Sequence, residues 1–310
     1  MRQTASPQSS TPVLFLIFNR PDTTEKVFQQ IRAARPARLF VSADGPRKNK
    51  DGERQRCEEA RKIIGMVDWK CELKTRFSDD NLGCRVAVSS AIDWFFDYVE
   101  EGIILEDDCL PDSSFFPFCE ALLAKYRDDQ RIMHIGGTNF QDGRVRGNGS
   151  YYFSRITHIW GWATWRRAWE KYDVTVSTFD EFIVNNRIAD IFPERRTQKY
   201  LLRDFHQVHA NKKDTWDIQW TYCTMVNNGL AIIPNQNLVS NIGFGIHASH
   251  TTLHDPLANR PTGAAGALVH PRFVIPNREA DLYTFRKYKH LSKFQKFLRL
   301  ASSILHSGNY

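Results

Sequence analysis

The run Gly102-Ile103-Ile104-Leu105-Glu106-Asp107-Asp108-Cys109-Leu110-Pro111 sets three apolar residues after a glycine and then three carboxylates in succession. A short, uninterrupted apolar run reads as a strand buried on both faces, as in a parallel sheet covered by helices. Neighbouring carboxylates repel one another and add nothing to packing, so a compensating cation is a physical reason to gather them there. A solvated acidic turn is the other reading of the same three residues. Pro111 and Asp112 then break the strand and open the next helix, which leaves the acids at a carboxyl-terminal strand edge, where open α/β sheets bind ligands.

Working outward, Val13 to Phe18 gives a second buried-strand signature, followed by Asn19-Arg20-Pro21. Asp22 and Glu25 form a capping-box pattern that opens a helix with Val27, Phe28 and Ile31 on its apolar face. Arg38 to Ala43 reads as a strand ending in the Asp44-Gly45-Pro46 turn, and a strand–helix–strand unit of this length implies a parallel, right-handed crossover. Arg20 and Asp44 then fall on neighbouring strand ends, as a surface ion pair or as part of a ligand site. Residues 51–66 read as a helix, 70–77 as a strand, 86–98 as a helix with an aromatic stripe facing the core, and 131–135 as another strand. The alternation predicts an α/β fold with a Rossmann-like, mixed but mainly parallel sheet and helices on both faces.

At 310 residues, with 42% hydrophobic and 13% aromatic content, the chain can bury a substantial core. Its formal charge of +7 suits an anionic partner such as a nucleotide diphosphate, an acidic lipid surface or nucleic acid. The six cysteines show no CxxC pair and no framework spacing, which disfavours metal–thiolate and disulfide scaffolds and fits reduced thiols in a cytoplasm. Residues 1–11 are polar and read as a disordered tail. With no apolar leader and only a short apolar run behind it, the start predicts neither a signal peptide nor a membrane-spanning helix.

Beyond residue 140 the glycine- and arginine-rich stretch 141–150 reads as a mobile loop or a hairpin tip, and Tyr151 to Phe153 as a strand. Trp160-Gly161-Trp162-Ala163-Thr164-Trp165 concentrates aromatics that are either core or a platform on which a sugar ring stacks, with Trp160, Trp162 and later Trp216 as the candidates. Asp217, flanked by Trp216 and Trp220 near a helix start, is a candidate general base or else a carboxylate stabilised by the helix dipole. Ala231 to Ile233 reads as a strand, and the glycine-rich 241–251 loop carries His247 and His250, either metal or phosphate ligands or incidental hydrogen-bonding groups. Residues 256–266 read as flexible. Residues 285–305 form a basic amphipathic helix that would lie on an anionic membrane or pack on the domain.

In order, Phe18-Asn19-Arg20, Val41-Ser42-Ala43-Asp44-Gly45, Leu105-Glu106-Asp107-Asp108, Gly161-Trp162, Trp216-Asp217 and Phe244-Gly245 with Ser249-His250 resemble the N-acetylglucosaminyltransferase I family over roughly residues 12–252. The resemblance implies a metal-dependent, inverting glycosyltransferase of the A-type (nucleotide-diphospho-sugar transferase) fold. It implies that Arg20, Asp44, Asp107 and His250 bind the donor nucleotide, with Asp44 toward the uracil. It further implies that Glu106 contacts the donor sugar, Asp108 ligates Mn²⁺ or Mg²⁺, and Asp217 is the catalytic base. The family's acid pair after the tryptophan is here Asp217-Ile218, so a single carboxylate remains at that point.

These readings divide the chain into a catalytic domain at 12–270 and a basic amphipathic tail at 271–310. Within the domain, 12–140 is a nucleotide-sugar-binding half and 141–270 an acceptor half. The expectation is a cytoplasmic enzyme, peripheral at the inner membrane face through residues 285–305, that moves a sugar from a UDP-sugar to a glycan or lipid-linked acceptor and engages no nucleic acid. Two alternatives remain open: a sugar-nucleotide nucleotidyltransferase, and a non-catalytic glycan-binding protein that uses its tryptophans.

Overall fold

A computed structural model of the chain describes residues 8–244 and 257–289. Ten strands are present among them: β1 (Val13–Ile17), β2 (Arg38–Ala43), β3 (Glu72–Phe77), β4 (Glu101–Glu106), β5 (Cys109–Pro111), β6 (Ile132–Gly136), β7 (Tyr151–Ser154), β8 (Trp162–Trp165), β9 (Leu230–Pro234) and β10 (Val239–Asn241). Eight form one sheet in the order β3-β2-β1-β4-β8-β6-β9-β7, and β5 pairs with β10 in a small separate sheet. β3, β2, β1 and β4 are mutually parallel. β8 enters antiparallel between β4 and β6, and β7 closes the far edge antiparallel to β9. The sheet is therefore Rossmann-like and mixed, as the strand–helix alternation predicts.

Strand alternation separates two apolar layers. Val13, Phe15 and Ile17 of β1, Leu39 and Val41 of β2, and Ile103 and Leu105 of β4 face one layer. There they meet helices α1 (Pro21–Ala34) and α4 (Phe115–Lys125) through Val27, Phe28, Phe115 and Leu122. Leu14, Leu16, Phe40 and Ile104 face the other, against Ala91, Ile92 and Phe95 of α3 (Cys84–Phe96). Helices thus cover both faces. α2 (Glu53–Lys62) lies between β2 and β3.

Between β8 and β9 the chain builds a helical layer: α5 (Arg166–Trp169), α6 (Phe179–Val184), α7 (Ile188–Ile191) and α8 (Arg195–His209), which the sequence reading passed over, and α9 (Asp217–Val226), whose start at Asp217 it expected. Phe179, Phe182, Phe205 and Tyr222 form its own core. α10 (Arg278–Thr284) follows near the end of the chain, capped by Asn277, whose side chain accepts from the Ala280 amide.

Several local expectations are corrected. The Asp22–Glu25 capping box does not form: Pro21 occupies the first helical position, Arg20 is the cap residue, and no side chain caps the helix. In the predicted apolar and aromatic stripe, Ala91 and Phe95 are buried but Val86 and Tyr98 are exposed. The stretch at 141–150 is tied down, with the Arg146 amide on Asn235 Oδ1 and the Ser150 amide on the Val269 carbonyl. Residues 257–266 are likewise held, the Asn259 and Gly263 amides donating to the Asn241 and Asn237 carbonyls. At the start of the basic tail Phe285 and Tyr288 are buried against the domain, while the expectation for 290–305 lies outside the described residues. No helix among the described residues is long and apolar enough to cross a membrane. All six cysteines are free thiols.

Candidate active site

The carboxyl ends of β1, β2 and β4 and the start of α9 converge on a cleft of ≈ 420 Å³, a volume within the usual range of small-molecule pockets. It is lined by Arg20, Asp44, Glu106, Asp107, Asp108 and Asp217, together with Trp160 and Trp216. Every candidate donor, metal and base residue from the sequence thus reaches one cleft except His250, which lies outside the described residues.

Arg20 bridges two of the acids. Its Nη1 donates to Asp108 Oδ2 at 2.6 Å and its Nη2 to Asp107 Oδ1 at 2.5 Å, while Asp107 Oδ2 accepts the Phe18 amide at 2.9 Å. β1 and β4 are neighbours in register, so the residues just beyond their ends fall together. Burial alone would lower the Arg20 pKa, but Asp107 and Asp108 outweigh it and hold the guanidinium charged. Glu106 has no such partner among the described residues. Burial, followed by repulsion from Asp108 and only partly offset by Arg20, pushes its carboxyl up to about 8. The site carries more negative charge than its arginine balances.

Asp44 turns into its own loop. Its Oδ1 accepts the Gly45 and Leu82 amides and its Oδ2 the Asn81 side-chain amide, each at 2.8 Å. Burial raises its pKa and these backbone donors oppose the rise. The sequence reading missed Arg47 and Glu53 beside it. Glu53, fully buried, accepts from the Asn19 side chain at 2.7 Å and from the Arg47 amide at 2.7 Å, and pairs with the Arg47 guanidinium. Burial alone would raise the Glu53 pKa, but these partners lower it to about 2. Arg47 in turn lies over the Phe18 ring at 5.6 Å, on the cleft wall. The Gly45-Pro46-Arg47 turn was the available signal, but the glutamate that orients the arginine sits six residues on, at the start of α2.

The tryptophans divide. Trp162 is 1% exposed, in β8, with its ring stacked between His134 and Trp216. The expectation that it offers a stacking face is corrected, because both faces are occupied. Trp216 is also buried. Trp160 is the half-buried one of the three, and it lies on the cleft wall edge-on to Phe244 at 5.7 Å.

No group of three or more His, Cys, Asp or Glu is arranged to hold a metal among the described residues. Asp108 gives one oxygen to Arg20, and among the described residues its other oxygen has the weak Cys109 thiol donor at 3.4 Å. That donor set fits a hard divalent cation that keeps most of its shell on water and phosphate oxygens and takes one or two carboxylates from the protein. Gly243 makes room for the Arg20–Asp108 pair, since a Cβ there would crowd both Asp108 Oδ2 and Arg20 Nη1.

The sheet order and the cleft at its carboxyl edge define a Rossmann-like α/β protein with a ligand site at the strand ends. No protein-family model matches the sequence, and no curated protein matches it either. Among solved structures, the chain is similar to a mannosyltransferase from Pyrobaculum calidifontis in complex with GDP-Man and Mn²⁺, at 14% identity and a TM-score of 0.40, over 72% of this chain and 70% of that one. It is similar to a UDP-glucose pyrophosphorylase complexed with UDP-glucose, at 8% identity and a TM-score of 0.36, over 73% of this chain and 90% of that one. A 4-diphosphocytidyl-2C-methyl-D-erythritol synthase from Anaerococcus prevotii shows 6% identity and a TM-score of 0.34, over 72% of this chain and 88% of that one.

Proposed function

We propose that the protein is a divalent-metal-dependent glycosyltransferase that moves a sugar from a UDP-sugar to a hydroxyl of a glycan or lipid-linked acceptor, with inversion. The observation that carries this reading is the acidic set Glu106, Asp107 and Asp108 at the end of β4, facing the same cleft as Asp217 from the start of α9, with Arg20 paired to two of the four. Asp108, with phosphate oxygens of the donor, would hold Mn²⁺ or Mg²⁺, which supplies neutralisation of the charge that develops on the leaving diphosphate. Arg20 keeps the two aspartates in place and adds positive charge beside them. Asp217 accepts the proton of the acceptor hydroxyl. The acceptor oxygen bonds to the anomeric carbon as the bond from that carbon to the diphosphate oxygen breaks, and UDP leaves with the electron pair. One displacement inverts the anomeric centre. Asp44, Arg47 and Phe18 line the part of the cleft assigned to the nucleotide, and Trp160 offers the acceptor or donor sugar an apolar face.

Nucleotidyl transfer would use a similar sheet and cation. A glycine-rich basic loop after β1 would favour it, whereas Phe18-Asn19-Arg20-Pro21 has no glycine and its arginine is paired to the β4 acids. Calorimetric titration of the full chain with UDP, GDP, CDP and dTDP, each with Mn²⁺ and with EDTA, tests the reading. A metal-requiring UDP response is expected. No response to any nucleotide in folded protein would discard it and bring the glycan-binding alternative forward.

A further inference from the structure

α3 begins in an unusual way. A 13-residue helix leaves its first amides without intrahelical acceptors, and the residue before it, Gly83 at φ +80°, has no side chain to cap them. Its acceptor comes from elsewhere. Asp214 Oδ2 accepts the Cys84 amide at 2.9 Å and Asp214 Oδ1 the Arg85 amide at 3.0 Å, across a sequence separation of 130 residues for the first pair. A carboxylate on two successive amides at a helix amino terminus is favoured by the helix dipole as well as by the hydrogen bonds. Gly83 is fitted to it: a Cβ there would stand 2.8 Å from Asp214 Oδ2, and the positive φ already disfavours a side chain.

The segment carrying Asp214 is fixed at both ends. On one side Arg85 Nη1 donates to Asn211 Oδ1 at 2.6 Å, and the Lys212 amide returns to the Gln207 carbonyl in the last turn of α8. On the other, the Trp216 ring stacks on Trp162 in the core, its carbonyl accepts from Tyr172 Oη at 3.2 Å, and α9 starts at Asp217. Between them the Thr215 hydroxyl donates to Asp217 Oδ1. Asp214, Thr215, Trp216 and Asp217 all line the cleft, as do Gly83 and Cys84. α3 also packs on β1 and β2, whose carboxyl ends form the nucleotide side of the site.

We infer that Asp214 is a positioning residue for Asp217: by capping α3 from the α8–α9 connection, it sets the distance between the proposed base and the acids of β4. This rests on the glycosyltransferase reading. The contact also occupies the amino terminus of α3, so that helix end is not an anion site for the donor, and the positive charge facing a diphosphate falls to Arg20 and the cation.

The test uses the full chain with Mn²⁺ and follows UDP release from UDP-glucose, UDP-galactose and UDP-N-acetylglucosamine, with water or a glycan as acceptor. Asp214→Ala should leave UDP affinity within about twofold and lower kcat at least about tenfold with little change in donor KM. Asp214→Asn, which keeps one carbonyl acceptor and nearly the same volume, should recover part of that loss. Gly83→Ala, which crowds the same contact from the other side, should reproduce the kcat defect. Unchanged kcat in folded Asp214→Ala, or equal losses of UDP affinity and turnover, would overturn the inference while leaving the function standing. No UDP release by the wild-type protein from any of these donors, or Asp217→Asn as active as wild type, would remove the underlying reading and this inference with it.

Discussion

Arg20 and Asp108 are joined through one guanidinium nitrogen at 2.6 Å while the second nitrogen holds Asp107, so a single side chain after β1 fixes two carboxylates after β4. The arrangement leaves Asp108 Oδ1 turned to a weak thiol donor, and that oxygen is the one available to a cation. Asp108→Asn keeps the shape but removes the charge. UDP affinity in Mn²⁺ should fall by about tenfold or more, roughly 1.4 kcal/mol, toward the value measured in EDTA. Calorimetry in both conditions checks this, and a normal Mn²⁺-dependent affinity in the variant would reject the assignment.

Asp217 should behave oppositely. Asp217→Asn is expected to bind UDP as wild type does while kcat falls by about 10²–10⁴, the span of a general base. A comparable loss of UDP affinity would place the residue on the donor side of the cleft instead.

Asp281 gives a pH dependence away from the cleft. It is buried in α10, where Ser154 Oγ donates to Oδ1 at 2.6 Å and the Arg155 amide to Oδ2 at 3.1 Å, and burial pushes its carboxyl up to about 7. Between the ordinary carboxylate pKa of about 4 and about 7 the folded chain retains a proton that the unfolded chain has lost. The contribution to stability is therefore complete at low pH and declines as pH rises through this window. Asp281→Asn can turn its amide toward Ser154 and its carbonyl toward Arg155. Urea unfolding from pH 5 to 8 should show this fall in wild type and a flatter profile, with higher stability at pH 8, in the variant.

Gly102 is the second residue of the strand that delivers the acids. A Cβ there would lie 2.3 Å from Phe95 Cζ and 2.9 Å from the Pro12 carbonyl oxygen, and Phe95 is fully buried. Gly102→Ala should cost about 1–3 kcal/mol, the usual range for overpacking. Adding Phe95→Leu should return part of the loss, as read by the two unfolding midpoints.

The central strands were readable because residues 13–18, 39–41 and 103–105 are continuous apolar runs, the pattern of strands buried on both faces. β8 was missed because Trp162-Ala163-Thr164-Trp165 carries enough aromatic weight to suggest a binding platform, while its role is to wedge antiparallel between β4 and β6. α8 did have a signal in Thr197, Leu201, Phe205 and Val208, which share its buried face at helical spacing. The capping pattern at Asp22 misled because Pro21 and Arg20 set that helix start instead. For the site, the sequence placed the acids and Asp217 together, but pairings such as Arg20 with Asp107 and Asp108, or Asp214 with Cys84, join residues distant in sequence that only the completed sheet makes neighbours.

The insertion of β8 beside β4, and the pairing of β5 with β10, bear on how the chain is made. As the chain leaves the ribosome, β1 is already made when β4 emerges, yet the other flank of β4 stays bare until β8 has emerged. β5, directly after the acidic turn, waits longer still for β10. The acidic turn is thus among the earlier parts of the chain to be synthesised and among the last to be enclosed, and a truncated nascent chain would hold its carboxylates in order only on the β1 side.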